Sequence, residues 1–242
     1  FLGEYPIEEI PALLQTGRVR ETDLAAAEGS EDWVPVFQLE RLQQAIDARR
    51  AMQQWEAFTP TVLYTIVAIN VVLFLLMINA FGFRSFSPLQ VAEWGGLHRS
   101  LFFRGDYWRL ISANYLHFSL SHLLFNMVAL LSWGGFVLFR LGTPRFMVLY
   151  TLAGVGGSFA SLVAHENAVG AGASGAIFGV LGALLAFHFS GIQGISGKDL
   201  KGVILYNVLI SLFMPSVDFA AHAGGFLTGF IAAFVFAPKA RA

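Results

Sequence analysis

Four polar side chains stand near the starts of otherwise apolar runs, and their types are those of nucleophilic catalysis. Ser174 lies among small residues in Gly172-Ala-Ser174-Gly175-Ala-Ile-Phe178-Gly179. His222 lies in Ala221-His222-Ala-Gly224-Gly225, with Gly229 four residues beyond. His122 and Asn126 close the stretch His117-Phe-Ser-Leu-Ser-His122-Leu-Leu-Phe-Asn126, four apart and so on one helical face. A serine hydroxyl is a weak nucleophile until a base takes its proton, and an imidazole can be that base. The oxyanion formed on an attacked amide then needs donors. The Ser174 N–H at a helix start, the His122 ring and the Asn126 amide are candidates. Asp218 precedes His222 by four residues, where a helix N-cap belongs, and is read as that cap rather than as a third catalytic member.

The elements that must position these groups follow from composition. Of 242 residues, 56% are hydrophobic and only 13% charged, against about 25% charged in an average soluble domain. Mean hydropathy is +0.63. Disorder is excluded, and the absence of cysteine excludes a disulfide scaffold. A net charge of −1 offers no basic excess for nucleic acid. The charges are uneven: residues 1–58 carry 11 acidic and 5 basic side chains, whereas 59–242 carry 5 acidic and 10 basic. An acidic soluble head therefore precedes an apolar membrane body. The first residues are not a basic patch followed by an apolar run, so no signal peptide is read there.

Uncharged runs near the ~20 residues a bilayer requires predict six spans. These are Thr61–Ala80, Phe118–Phe139, Phe146–Ala164, Ala173–Ser190, the short Gly202–Val217, and Phe219–Ala237. Six spans put both termini on one side. Arg49, Arg50, Arg140, Arg145, Lys198, Lys201, Lys239 and Arg241 assign that side to the interior. Loop one departs from this pattern, with Arg84, Arg99, Arg104 and Arg109, and its aromatic content suggests a structured loop at the interface. Spans two, four and six then run the same way, so Ser174, His222, His122 and Asn126 share a depth near the outer leaflet. Gly175 with Gly179, and Gly225 with Gly229, are small-xxx-small pairs that let helix backbones approach closely. Polar residues inside a bilayer are costly and read as functional. His117 and His165 read as interface residues, and His188 as snorkelling.

At these residues the sequence resembles the rhomboid intramembrane serine proteases, over roughly Trp94 to Gly229. It is similar to that family in Trp108-Arg109 of loop one and in the His-x-x-x-Asn of His122 and Asn126. It is similar again in the Gly-x-Ser-Gly of Gly172, Ser174 and Gly175, and in the His-x-x-Gly-x-x-x-Gly of His222, Gly225 and Gly229. The resemblance implies a six-transmembrane-helix bundle, all-α and polytopic. It implies Ser174 as nucleophile and His222 as general base. His122, Asn126 and the Ser174 N–H form the oxyanion hole, and Phe178 packs on the histidine. It further implies endopeptidase action on single-span membrane proteins near the outer leaflet, without cofactor, in a bacterial inner membrane. One departure is Leu138, where the family often has a glutamate.

Residues 1–40 read as a small α+β soluble domain: Pro6 at a helix start, Ile7, Ile10, Leu13 and Leu14 at helical spacing, and Gly17 as a stop. Trp33 reads as an aromatic anchor. The pattern is similar to GYF-2 adaptor domains, which implies a protein or proline-rich peptide ligand. A solvated cap without ligand is the other reading. Residues 41–58 read as an amphipathic linker helix, with Leu42, Ile46 and Trp55 at the membrane surface, and 59–242 as the membrane domain.

Metal catalysis is disfavoured, because no His-Glu-x-x-His occurs. No span carries the acidic residues an aspartyl protease would need, and Lys198 and Lys201 are expected on the face opposite Ser174. Two non-hydrolytic readings stay open. One is a catalytically silent protein that captures transmembrane helices. The other is a small transporter, which the apolar inner halves of the spans oppose.

Overall fold

The computed structural model describes residues 3–83, 85–192, 194, 196–214 and 217–236. Arg84, Ala237, Lys239 and Arg241, which entered the span and charge reading, lie outside the described residues. The chain separates into two compact units, 1–59 and 60–242.

In the first unit, α1 spans Ile10–Gln15. Pro6 opens a preceding turn rather than the helix itself, with the Glu9 N–H bonded to the Pro6 carbonyl at 3.0 Å. Gly17 ends α1 at φ +73°, a conformation that favours glycine. Two short strands, β1 (Leu24–Ala25) and β2 (Val34–Pro35), pair antiparallel. Helix α2 (Gln43–Glu56) follows.

The unit's core is Leu14, Val19, Val36, Leu42 and Ile46. This corrects the linker expectation for 41–58. Leu42 and Ile46 are fully buried in the head's own core, not laid on a membrane surface. A domain this small closes its core only by adding the next helix. Trp33 is exposed, at 54%.

Among its described residues the second unit is helical, apart from one pair of two-residue strands. Helix α3 (Thr61–Phe81) is followed by the elements of loop one: α4 (Pro88–Glu93), β3 (Leu97–His98), α5 (Arg99–Phe103) and α6 (Arg109–Ser112). Then come α7 (Leu120–Leu141), α8 (Thr143–Ala164), β4 (Val169–Gly170), α9 (Ser174–Phe189), α10 (Gly197–Phe213) and α11 (Phe219–Phe236). Among the described residues four helices are long and apolar enough to cross a membrane: α3, α7, α8 and α11. Helix α9 is apolar but only 16 residues long. The expected fifth span is displaced. Helix α10 begins at Gly197 rather than Gly202, takes Lys198, Asp199 and Lys201 into its first turns, and ends at Phe213. Ser196 accepts from the Asp199 N–H and sets that earlier start.

Apolarity sorts these helices by position. Every residue of α9 from Gly175 to Leu184 is buried, as expected for a helix hydrophobic on all sides. Helices α7, α8 and α11 pack against it. Large apolar side chains on the outer helices are exposed, among them Tyr64, Leu75, Phe125, Phe159, Leu227 and Val235. A contiguous apolar exterior of this kind needs a lipid solvent.

Loop one is folded, as its composition suggested. The buried Arg109 guanidinium donates to the carbonyls of Ala92 (2.6 Å) and Gly96 (2.9 Å) and to the Asp106 carboxylate (2.9 Å). It also stacks over Trp108 at 4.6 Å. The Ser87–Gln90 capping box fixes the start of α4. Strand β3 pairs with β4, joining loop one to the segment that leads into α9.

Candidate active site

Helices α9 and α11 touch backbone to backbone. A Cβ built on Gly225 would overlap the Gly175 carbonyl, and one on Gly229 would overlap that of Gly179. The two glycine pairs therefore mesh as the sequence implied. Gly157 of α8 lies against the same crossing: its Cβ would stand 2.7 Å from the Ala221 carbonyl and 3.1 Å from the Gly175 Cα.

This contact sets the side chains around it. The Phe178 ring stacks on the His222 imidazole, with centroids 3.9 Å apart and planes at 15°. Ser174 precedes Phe178 by one helical turn and so shares its face. Ser174 is also the first residue of α9, so its N–H has no acceptor within the helix.

The third element is α7. Ser119 caps it by accepting from the His122 N–H at 3.2 Å. Asn126 donates one amide N–H to the His122 carbonyl at 2.8 Å, which confirms their common face. Its second N–H can serve another acceptor. Gly172 holds the junction. Its φ is +131°, and a Cβ there would stand 2.8 Å from the His122 ring and 3.8 Å from Ser174 Oγ. Its N–H is bonded to the Ala113 carbonyl at 2.9 Å, which ties this loop to loop one.

Ser174 Oγ and the His122 ring thus both border Gly172, and His222 lies on Phe178, one turn along α9 from Ser174. Among the described residues Ser174 Oγ has no hydrogen bond to His222. The His222 Nδ1 instead meets Ser211 Oγ of α10 at 2.7 Å. Catalytic hydrogen bonds are often loose in a substrate-free enzyme. A cavity of about 210 Å³, lined by Phe178, Leu181, Ile204, Val208 and Phe226 among others, opens beside His222.

Asp218 is the cap expected of it: its carboxylate accepts from the Ala221 N–H at 2.9 Å. It also accepts from Ser161 of α8 and meets His165 Nε2 at 3.3 Å. Its oxygens are thereby engaged one turn before His222. We expect Asp218→Asn, which preserves a cap, to keep activity within about threefold of wild type, and Asp218→Ala to lower stability by about 1 kcal/mol. Thermal unfolding and turnover measured side by side check this; a loss for Asp218→Asn as deep as for Ser174→Ala would make Asp218 catalytic.

His117 is wholly buried within the protein. Its ring lies edge-on to His122 at 5.0 Å, and neither nitrogen has a hydrogen-bond partner among the described residues. Burial, and then the neighbouring His122, push its pKa down to about 3. The unfolded chain, with a pKa of about 6.5, therefore binds the proton first. The stability tied to neutral His117 is complete above about pH 6.5 and is lost as pH falls toward 3. Between pH 7 and 5 that amounts to about 2 kcal/mol. Unfolding at the two pH values should show His117→Phe losing less stability than wild type by about this amount; equal losses would refute it.

Ser211 escaped the sequence reading, as did the Ser161–Asp218–His165 cluster. The available signal was three polar side chains, Ser158, Ser161 and Ser211, buried within apolar helices.

Residues 104–239 match the Rhomboid domain family. The chain is 36% identical to Rhomboid protease GluP of Bacillus subtilis over 188 residues, 76% of this chain and 36% of that protein. It is 35% identical to RHOMBOID-like protein 5 of Arabidopsis thaliana over 178 residues, 66% of this chain and 57% of that protein. It is 39% identical to RHOMBOID-like protein 4 of the same plant over 154 residues, 62% of this chain and 39% of that protein. The chain thus spans between about a third and somewhat more than half of these relatives. By the matched domain, and by the apolar bundle that carries it, this chain belongs to the rhomboid family of integral membrane proteins.

Proposed function

We propose that this chain is an intramembrane serine endopeptidase that cleaves single-span membrane proteins near the outer leaflet. The observation that supports it is that Ser174 Oγ and the His122 ring both border Gly172 while His222 stacks on Phe178, one turn beyond Ser174, with the three polar residues at the starts of three helices. Ser174 Oγ attacks the scissile carbonyl and passes its proton to His222 Nε2. The oxyanion is stabilised by the Ser174 N–H, His122 and Asn126. The imidazolium returns the proton to the leaving amine, and water activated by the same base releases the acyl group. Gly172, Gly175, Gly225 and Gly229 supply the close approach, and Phe178 holds the imidazole plane.

In this reading α9 and α10 cross the bilayer with the four longer helices, making six spans with both termini inside a bacterial inner membrane. The head is a GYF-2-like module for a protein or proline-rich peptide. Names of the relatives support the activity: GluP is called a rhomboid protease.

The test is cleavage of a single-span substrate co-reconstituted in liposomes. Wild type should release fragments and Ser174→Ala none; equal release would end the proposal. The alternative is a silent helix-capturing protein. That reading predicts substrate retention without cleavage by wild type.

A further inference from the structure

His222 can act as a base only if Nε2 is unprotonated, and a neutral imidazole has two tautomers. Something must hold the proton on Nδ1. In serine hydrolases with a triad, a buried carboxylate bonded to Nδ1–H does this. No carboxylate meets His222 among the described residues, and Asp218 is engaged by the Ala221 N–H, Ser161 and His165.

The partner that does meet Nδ1 is the Ser211 hydroxyl, at 2.7 Å and buried. Ser211 Oγ has a second neighbour, the Asn207 carbonyl oxygen one turn back on α10, also at 2.7 Å. A carbonyl can only accept, and two oxygens at that distance without a proton between them would repel. The single hydroxyl proton of Ser211 therefore points to Asn207. Toward His222 the oxygen can then only accept, so Nδ1 must carry the proton. The chain of donors runs Nδ1–H to Ser211 Oγ, and Ser211 O–H to the Asn207 carbonyl.

We infer that Ser211 is a positioning residue for the proposed reaction: its hydroxyl, oriented by the Asn207 carbonyl, fixes His222 as the Nδ1–H tautomer and frees Nε2 to take the Ser174 proton. This rests on the serine endopeptidase reading and deepens it. It puts a neutral hydroxyl where triads have an anion. That hydroxyl sets the tautomer and ring orientation but gives the imidazolium no counter-charge. It also means that α10, across the cavity from Phe178, contributes to the catalytic base.

The test uses the full chain in detergent or liposomes, with Ser211→Ala, Ser211→Thr and Ser174→Ala, and ¹⁵N-histidine NMR assigned by His222→Gln. Wild-type His222 should show a protonated Nδ1 and a bare Nε2. Ser211→Ala should mix the tautomers and lower kcat roughly ten- to a hundredfold, with KM changed less than about threefold. Ser211→Thr, which keeps the hydroxyl and its i−4 bond, should restore the wild-type tautomer and most of kcat. Three results overturn the inference: an Nε2–H signature in wild type, full kcat in Ser211→Ala, or no rescue by threonine. If Ser211→Ala fails to fold, the wild-type spectrum and the threonine variant still decide. Ser174→Ala separates the two levels. Its inactivity alongside a fully active Ser211→Ala sinks only the positioning role. Retained turnover in Ser174→Ala sinks the protease reading, and the base role with it.

Discussion

His222→Ala is expected to abolish cleavage as completely as Ser174→Ala, and the double variant to be no worse than either. The loss should be on the order of 10⁴-fold or more in kcat, because nucleophile and base act as one unit and their effects do not add. The stacking of His222 on Phe178 at 3.9 Å makes it the imidazole beside the serine-bearing face of α9. Asn126→Ala removes one of the three proposed oxyanion donors and should cost about 10²-fold, with KM nearly unchanged. Kinetics on a fluorogenic single-span substrate separate these cases. Normal turnover in His222→Ala would show that the serine, if reactive, takes its base from elsewhere.

The second large effect lies in the backbone contact. Gly225→Ala should lower stability by about 3 kcal/mol, the upper end for overpacking, and turnover should fall with it. The added methyl overlaps the Gly175 carbonyl, which is backbone and cannot rotate away, so α9 and α11 must part. The same holds for Gly229 against Gly179. Gly202 of α10 is the control, because a Cβ there meets nothing within 4 Å. Gly202→Ala should leave activity intact and raise stability by about 0.5–1 kcal/mol through helix propensity. Unfolding of the three variants in one detergent checks this. Similar stabilities for Gly225→Ala and Gly202→Ala would mean that the meshed glycines do not bring serine and histidine together.

What the sequence made legible follows from contrast. A serine, two histidines and an asparagine inside apolar runs are conspicuous because burying them is costly. Glycines four apart beside two of them announce a close crossing. The structure bears out the common face of His122 and Asn126, the glycine contact, the Phe178–His222 stack and the Asp218 cap.

The pairing of Ser211 with His222 was not legible. A serine that bonds its own i−4 carbonyl is ordinary in an apolar helix, and its phase relative to His222 depends on the turn between α10 and α11. The β3–β4 pairing was hidden because two residues are too few for any periodicity. Leu42 and Ile46 misled for a related reason. An apolar face on a helix says that it is covered, not whether lipid or protein covers it. Leu138 turned out fully buried, an apolar side chain in an apolar setting.

The most direct test of the central claim is the site of reaction with a fluorophosphonate, mapped by mass spectrometry on the full chain in liposomes. The account predicts a single adduct on Ser174, lost in Ser174→Ala and strongly reduced in His222→Ala. An adduct on another residue, or labelling of Ser174 that is indifferent to His222, would contradict it.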